Sequence, residues 1–151
     1  MEIIVGSDHG GFSLKEEIKK FLQNLGHTVT DFGCYKEESV DYPDIALLVA
    51  EAIKEKRFEK GVLINGTGGG MVIAANKVPG IRAVCAYNEL TGRYASEHDD
   101  ANILCLGGKM IGVLQAQEIV RGWLSAPFGA GRHARRIDKI RDIEKKFFKN
   151  L

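Results

Sequence analysis

The stretch Gly61-Val-Leu-Ile-Asn-Gly-Thr-Gly-Gly-Gly-Met-Val-Ile-Ala-Ala-Asn-Lys77 reads as a strand, a glycine turn and a helix in direct succession. Gly61 to Ile64 is a short apolar run suited to a buried strand. Gly66, Gly68, Gly69 and Gly70 make the turn, and Met71 to Lys77 are helix-compatible. A turn of this kind gathers backbone N–H groups toward an anion. Its glycines permit positive φ and let a ligand approach the main chain closely. At the C-terminal end of a parallel strand, such a turn lies where open α/β sheets bind ligands. The expected ligand is a small anionic or oxyanion-forming molecule.

Outward from this stretch the pattern alternates. Glu2 to Gly6 reads as a strand, followed by Leu14, Ile18, Phe21, Leu22 and Leu25 at helical spacing. A Ser13-x-x-Glu16 capping box is expected to open that helix and Gly26 to close it. Thr28 to Gly33 is a second strand, and Ile45, Leu48, Val49, Ala52 and Ile53 form one apolar helical face after Tyr42-Pro43-Asp44. Ile81 to Ala86 and Ile103 to Gly107 read as further strands, and Glu89 to Glu97 as a helix. A helix with Val113, Ala116, Val120 and Trp123 follows, then a basic helix from about Arg132 to Phe147. Alternating strands and helices imply right-handed crossovers around a parallel sheet. The fold class is therefore α/β: a doubly wound, Rossmann-like three-layer sandwich with about five strands and a C-terminal basic helix, one domain over residues 1–151.

Composition narrows the function. With 21 Lys and Arg against 20 Asp and Glu, the chain has no global field for nucleic acid or an anionic membrane. No apolar run approaches the roughly 20 residues of a membrane span, and the opening Met-Glu-Ile-Ile-Val-Gly has no signal-peptide pattern. Cys34, Cys85 and Cys105 are an odd count without metal-ligand spacing, as expected of a cytoplasmic protein. Cys85 and Cys105 fall in expected central strands, where buried, inert thiols are the rule.

Gly6-Ser-Asp-His-Gly10, Asp41-Tyr-Pro-Asp44, Gly66-Thr-Gly-x-Gly70 and Ile73-Ala-Ala-Asn-Lys77 stand in an order that is specific as a set. Gly80-Ile-Arg82, Glu97-His98, Ala101-Asn102 and Gly131-Arg-His133 extend it over nearly the whole chain. The chain resembles the ribose-5-phosphate isomerase B family, which includes the galactose-6-phosphate isomerase subunits. The resemblance implies interconversion of aldose and ketose phosphates, with no metal and no cofactor. It also implies a homodimer or tetramer whose active sites lie between subunits.

Such a reaction moves a proton between two carbons beside a carbonyl, so it needs a base, donors to an enediolate, a group that opens the sugar ring and a phosphate grip. The N–H groups of Gly66 to Gly70 suit the oxyanion. By resemblance Asp8 contacts sugar hydroxyls, and His98, with Thr67, opens the ring. Imidazole suits that step because it exchanges a proton near neutral pH. Tyr42 either flanks the sugar or packs in the core. Arg132 and Arg136 are four apart, hence on one helical face, and two guanidinium forks side by side form an oxyanion clamp. Lys139 continues the stripe, and by resemblance His9 joins the grip. Lys109 stands where an arginine is frequent in the family, and supplies a point charge. Taken alone, the helix would read as a solvated basic face.

Two departures bear on the base. Asn65 stands where many family members carry a catalytic cysteine, and Met71 where another branch carries glutamate. An asparagine amide accepts no proton at physiological pH. His98 is followed by Asp99 where the family has asparagine, so Asp99 is a candidate base, with Asp8 competing. The plainer alternative is that Asp99 only bonds a hydroxyl, or belongs to an acidic run with Glu97 and Asp100. Asn76 and Lys77 read as an exposed cap of the helix after the glycine turn, and His27 as solvated.

Three functions fit: a metal-free sugar-phosphate isomerase, most directly for ribose 5-phosphate; a sugar-phosphate-binding subunit that needs a paralogous partner; and a nucleotide-binding domain. The last is disfavoured, because the glycine turn follows the third strand and lacks both the Gly-x-Gly-x-x-Gly and the Walker lysine patterns.

Overall fold

A computed structural model describes residues 1–148. Its elements in chain order are β1 (Glu2–Ser7), α1 (Phe12–Asn24), β2 (Thr28–Asp31), α2 (Tyr42–Lys54), β3 (Lys60–Asn65) and α3 (Gly69–Ala75), then β4 (Ala83–Cys85), α4 (Glu89–Glu97), β5 (Ile103–Gly107), α5 (Val113–Ser125) and α6 (Arg132–Phe147). The sheet order is β2-β1-β3-β5-β4 and every pairing is parallel. The expected doubly wound α/β architecture is therefore present.

Alternate strand positions feed two cores, as the pleat requires. Ile3, Val5, Val62, Ile64, Leu104 and Leu106 pack under Ile18 and Leu22 of α1 and Ile119, Val120 and Trp123 of α5. Ile4, Leu63, Ile103 and Cys105 pack under Ile45 and Val49 of α2 and Met71 and Ala75 of α3. Continuous apolar strands covered on both faces are what a parallel sheet demands.

Three local expectations change. Ser13 does not cap α1: the helix begins at Phe12 behind Gly11, and no side chain caps it. Gly11 sits there because an added Cβ would collide with the Ile64 carbonyl, while its N–H is held by Asp8 Oδ1 at 3.1 Å. β2 stops at Asp31, whose carboxylate accepts from Gly33 N–H at 2.8 Å and turns the chain away. β4 is only three residues long and lies at the sheet edge, so Cys85 is half-exposed rather than central. Asn76 shapes its start: the side chain both donates to and accepts from the Ala83 backbone, at 2.9 and 2.8 Å.

Lys15 is fully buried, an expensive place for an ammonium unless it is paired. Its Nζ donates to both Asp31 oxygens at 2.8 and 2.7 Å and to the Cys34 carbonyl, tying down the loop that leads to Tyr42. Desolvation pulls the Asp31 pKa up, but hydrogen bonds from Lys15, Lys19 and Gly33 N–H outweigh it and hold the carboxyl below its usual value. A depressed carboxylate stabilises the fold above its unfolded pKa and loses that contribution as pH falls through the folded one. Lys15→Met strands part of this network and is expected to cost about 2 kcal/mol in urea unfolding, below the buried-pair range because Lys19 remains. That deficit should shrink as the pH drops below about 4, once Asp31 is protonated in both proteins.

Candidate active site at the two edges of the sheet

The strand order reverses between β1 and β3, and the crevice at their C-terminal ends is the ligand position of an open α/β sheet. Asp8 follows β1, and Asn65 to Gly70 close β3. The two loops touch: an added Cβ on Gly10 would lie 3.4 Å from both Asp8 Oδ1 and Gly66 N. Asp8 is buried and His9 exposed. Together with Val40 to Asp44 they line a cavity of about 500 Å³. The Nδ1 of His9 accepts weakly from Val40 N–H, at 3.4 Å. The Tyr42 ring lies so close over Gly70 that an added Cβ would be 2.5 Å from its carbons. Lys109 crosses Gly66 with its methylene stem.

The glycine turn is partly self-satisfied. Asn65 Oδ1 accepts from Gly68 N–H at 2.7 Å, and Thr67 Oγ1 from Gly69 N–H at 3.2 Å. The N–H groups of Gly66, Thr67 and Gly70 have no protein acceptor among the described residues, so they remain available to an oxyanion. Asn65 is 6% exposed, and its bond to Gly68 orients the amide so that Nδ2 is the group left to donate. Gly68 has φ +87, and an added Cβ there would meet Cys85 Sγ at 2.5 Å. The Cys85 thiol thus supports the turn from behind, and desolvation raises its pKa. Met71 is fully buried in the core between sheet and α3, out of reach of a ligand.

His98, Asp99, Arg132 and Arg136 lie elsewhere. His98 ends α4, and the segment after it enters β5 from below: Gly61 N–H donates to Asn102 O, beside the start of β3. The start of α6 is fastened to the same edge by Gly129 N–H on Glu97 O at 2.8 Å. The six residues of β3 separate this edge from the glycine turn by roughly 20 Å, at about 3.3 Å per residue. One chain therefore does not bring His98, Asp99, Arg132 and Arg136 to Asp8, His9, Tyr42, Thr67 and Lys109.

At this lower edge the His98 ring is stacked on Tyr94, with centroids 4.0 Å apart, and on His133, 4.3 Å apart. His133 is the residue that sequence reasoning missed: it sits in the quoted Gly131-Arg-His133, but nothing in the spacing pairs it with His98. Asp99 is exposed, yet desolvation by the atoms packed around it raises its carboxyl pKa, against smaller opposite effects of His98 and His133. Arg132 and Arg136 are exposed in the first turns of α6, which carries no acidic residue in its first turn and no side-chain cap. Guanidinium forks beside a positive helix end are chemically suited to an anion.

A family model described as Ribose/Galactose Isomerase matches residues 3–140. The chain belongs to the ribose/galactose isomerase family. Its relatives include ribose-5-phosphate isomerase B of Escherichia coli, 41% identical over 96% of this chain and 97% of that one. Among solved structures, ribose-5-phosphate isomerase B of Clostridium thermocellum superposes with a TM-score of 0.96 at 54% identity, covering 97% and 99% of the two chains. The enzyme of Mycoplasma genitalium with bound ribulose-5-phosphate gives a TM-score of 0.92 at 42% identity, covering 96% and 97%. No helix among the described residues is long and apolar enough to cross a membrane, and no cluster of metal-ligating side chains is found among them.

Proposed function

We propose that this chain isomerises ribose 5-phosphate to ribulose 5-phosphate through an enediolate, in a site shared by two copies. The observation that carries this reading is the glycine turn beside Asp8 at one sheet edge and the His98–arginine cluster at the other. Neither half contains a complete isomerase; facing each other across a two-fold axis, they supply every required part. An apolar stripe on α6 supports a second copy as the occupant: Ile140, Ile143 and Phe147 are 45, 58 and 71% exposed on a helix with only Ile137 buried. Such a stripe on a lone chain marks an interface.

Within the shared site, Arg132 and Arg136 of one copy hold the phosphate together with His9 and Lys109 of the other. His98 opens the furanose ring with help from Thr67, and Asp8 holds sugar hydroxyls. The N–H groups of Gly66, Thr67 and Gly70, with Asn65 Nδ2, donate to the enediolate oxygens. By the resemblance already noted, Asn65 replaces the catalytic cysteine, and an amide donates here rather than taking the proton. Asp99 serves as the base: it removes the C2 proton of the open aldose and returns it to C1. A carboxylate with a raised pKa is better matched to that transfer than an ordinary one.

The test is NMR of the purified chain with ribose 5-phosphate in deuterated water. Deuterium entering at carbon, with ribulose 5-phosphate formed, is the expected result. Binding without any exchange would sink the self-sufficient isomerase and favour a subunit dependent on a paralogous partner, the outcome to which the loss of both familiar bases would point. Arg136→Ala removes one charge-assisted fork of about 1.5–3 kcal/mol, so KM is expected to rise roughly ten- to a hundredfold with kcat little changed. Steady-state kinetics on the phosphorylated sugar checks this.

A further inference from the structure

We propose that His133 is a positioning residue for His98, its imidazole forming the outer face of a three-ring stack that fixes the plane in which His98 meets the sugar. The inference rests on the isomerase reading above. Tyr94 and His98 are one helical turn apart, with ring planes 16° from parallel, and His133 covers the opposite face of His98 at 11°. Both faces of the His98 ring are thus occupied, and only its edge, where the nitrogens lie, remains for chemistry. Offset aromatic pairs at such spacing add orientation beyond the area they bury, and proton transfer depends strongly on orientation.

The chain is built to deliver this stack. Ala130 and Gly131 take successive positive φ values of 50 and 55 before α6 begins. An added Cβ on Gly129 would stand 3.1 Å from Glu97 O and 3.2 Å from His133 Cδ2, so the loop presses against the ring it places. The charged groups facing the pair are Glu97, whose Oε1 is 3.7 Å from His98 Nε2, and Asp99, Arg132 and Arg136. Desolvation first, then His98 and the two arginines, lower the His133 pKa against the opposing effect of Glu97. His133 consequently stays neutral near pH 7 and does not compete for the proton that the ring opening moves.

The test separates positioning from bulk structure. Ribose 5-phosphate is a closed furanose in solution, whereas ribulose 5-phosphate is open-chain, because its C5 oxygen carries the phosphate. His133→Ala is expected to lower kcat on ribose 5-phosphate about tenfold with KM within about twofold, and to lower C1 proton exchange from ribulose 5-phosphate less than about threefold. His133→Phe, which keeps the flat face, should recover most of the loss. An equal fall with both sugars, or no recovery by Phe, would overturn the proposal. Independently of activity, the His98 ring-proton resonances should lose their upfield ring-current displacement in His133→Ala and keep most of it in His133→Phe. Unchanged resonances would refute the stack even if the chain proved to isomerise nothing. Absence of exchange by the unmodified protein would refute the isomerase reading and leave the NMR result to decide the stack.

Discussion

Co-expressing Asp8→Ala and His98→Ala chains is expected to restore about a quarter of the unmodified activity, although each variant alone falls about a hundredfold or more. Asp8 stands at the C-terminal edge of the sheet, its N–H on the Ile64 carbonyl of β3 at 3.3 Å, and His98 at the N-terminal edge beside the start of β5. If each site takes one edge from each copy, random pairing makes half of all dimers mixed. A mixed dimer has one site carrying both lesions and one carrying neither. Half of the dimers with half of their sites intact gives a quarter. Separately tagged chains, purified through both tags, should reach about half the unmodified activity per dimer. No recovery in doubly tagged dimers would mean that both residues serve one site from one chain. An active monomer in sedimentation would remove the shared site altogether.

Much of this was legible in the residues, and the failures have physical causes. α4 and α6 stand where helical periodicity puts them; the glycine turn follows β3 as expected, but α3 already starts at Gly69 inside it and ends at Ala75 rather than Lys77. The separation of the glycine turn from His98 follows from chain order, since the turn leaves β3 at one edge and His98 precedes β5 at the other. Sheet order is not written that way, and so Cys85 was read as central when β4 is the edge strand. Ser13 carried a capping signature that lost to the close approach of Gly11 to Ile64, a tertiary constraint. Asn76 is the exposed C-cap of α3 that its sequence position suggests, while the bonds from both ends of its amide to the Ala83 backbone carry no local signal. His27 reads as solvated, whereas its Nδ1 is buried with no hydrogen-bond partner among the described residues. His133 was invisible because its partner is thirty-five residues earlier in sequence (98 to 133) and is reached only through the tight loop at Gly129–Gly131. The sheet-wide pattern is a matter of periodicity; the site depends on side chains whose neighbours only the fold supplies.

Asp99→Asn is expected to lower proton exchange by about 10²–10⁴, with KM within a few fold, because the amide keeps the shape of the carboxyl and cannot take the proton. The pH dependence supplies the sign. Desolvation raises the Asp99 pKa more than His98 and His133 lower it, so its titration lies above the usual carboxylate value of about 3.9. A base must be ionised, so activity should fall as pH is lowered through that raised midpoint, and Asp99→Asn should erase the limb along with most of the rate. If Asp8 is the base instead, Asp8→Asn abolishes exchange while Asp99→Asn leaves a measurable enzyme with its acid limb intact. The position of Asn65 allows a stricter comparison. Its amide now holds Gly68 N–H at 2.7 Å and stands only 6% exposed, in the place where the resemblance puts a thiol base. Adding Asn65→Cys to Asp99→Asn returns a titratable group to that place and frees the Gly68 N–H for the oxyanion. Exchange should then recover by about tenfold or more, with a limb that moves toward the thiol range near pH 8.5. Recovery would show that the two positions are alternative seats for one base. No recovery, in a double variant that still folds and binds, would mean that the surroundings of residue 65 no longer accommodate a thiolate base.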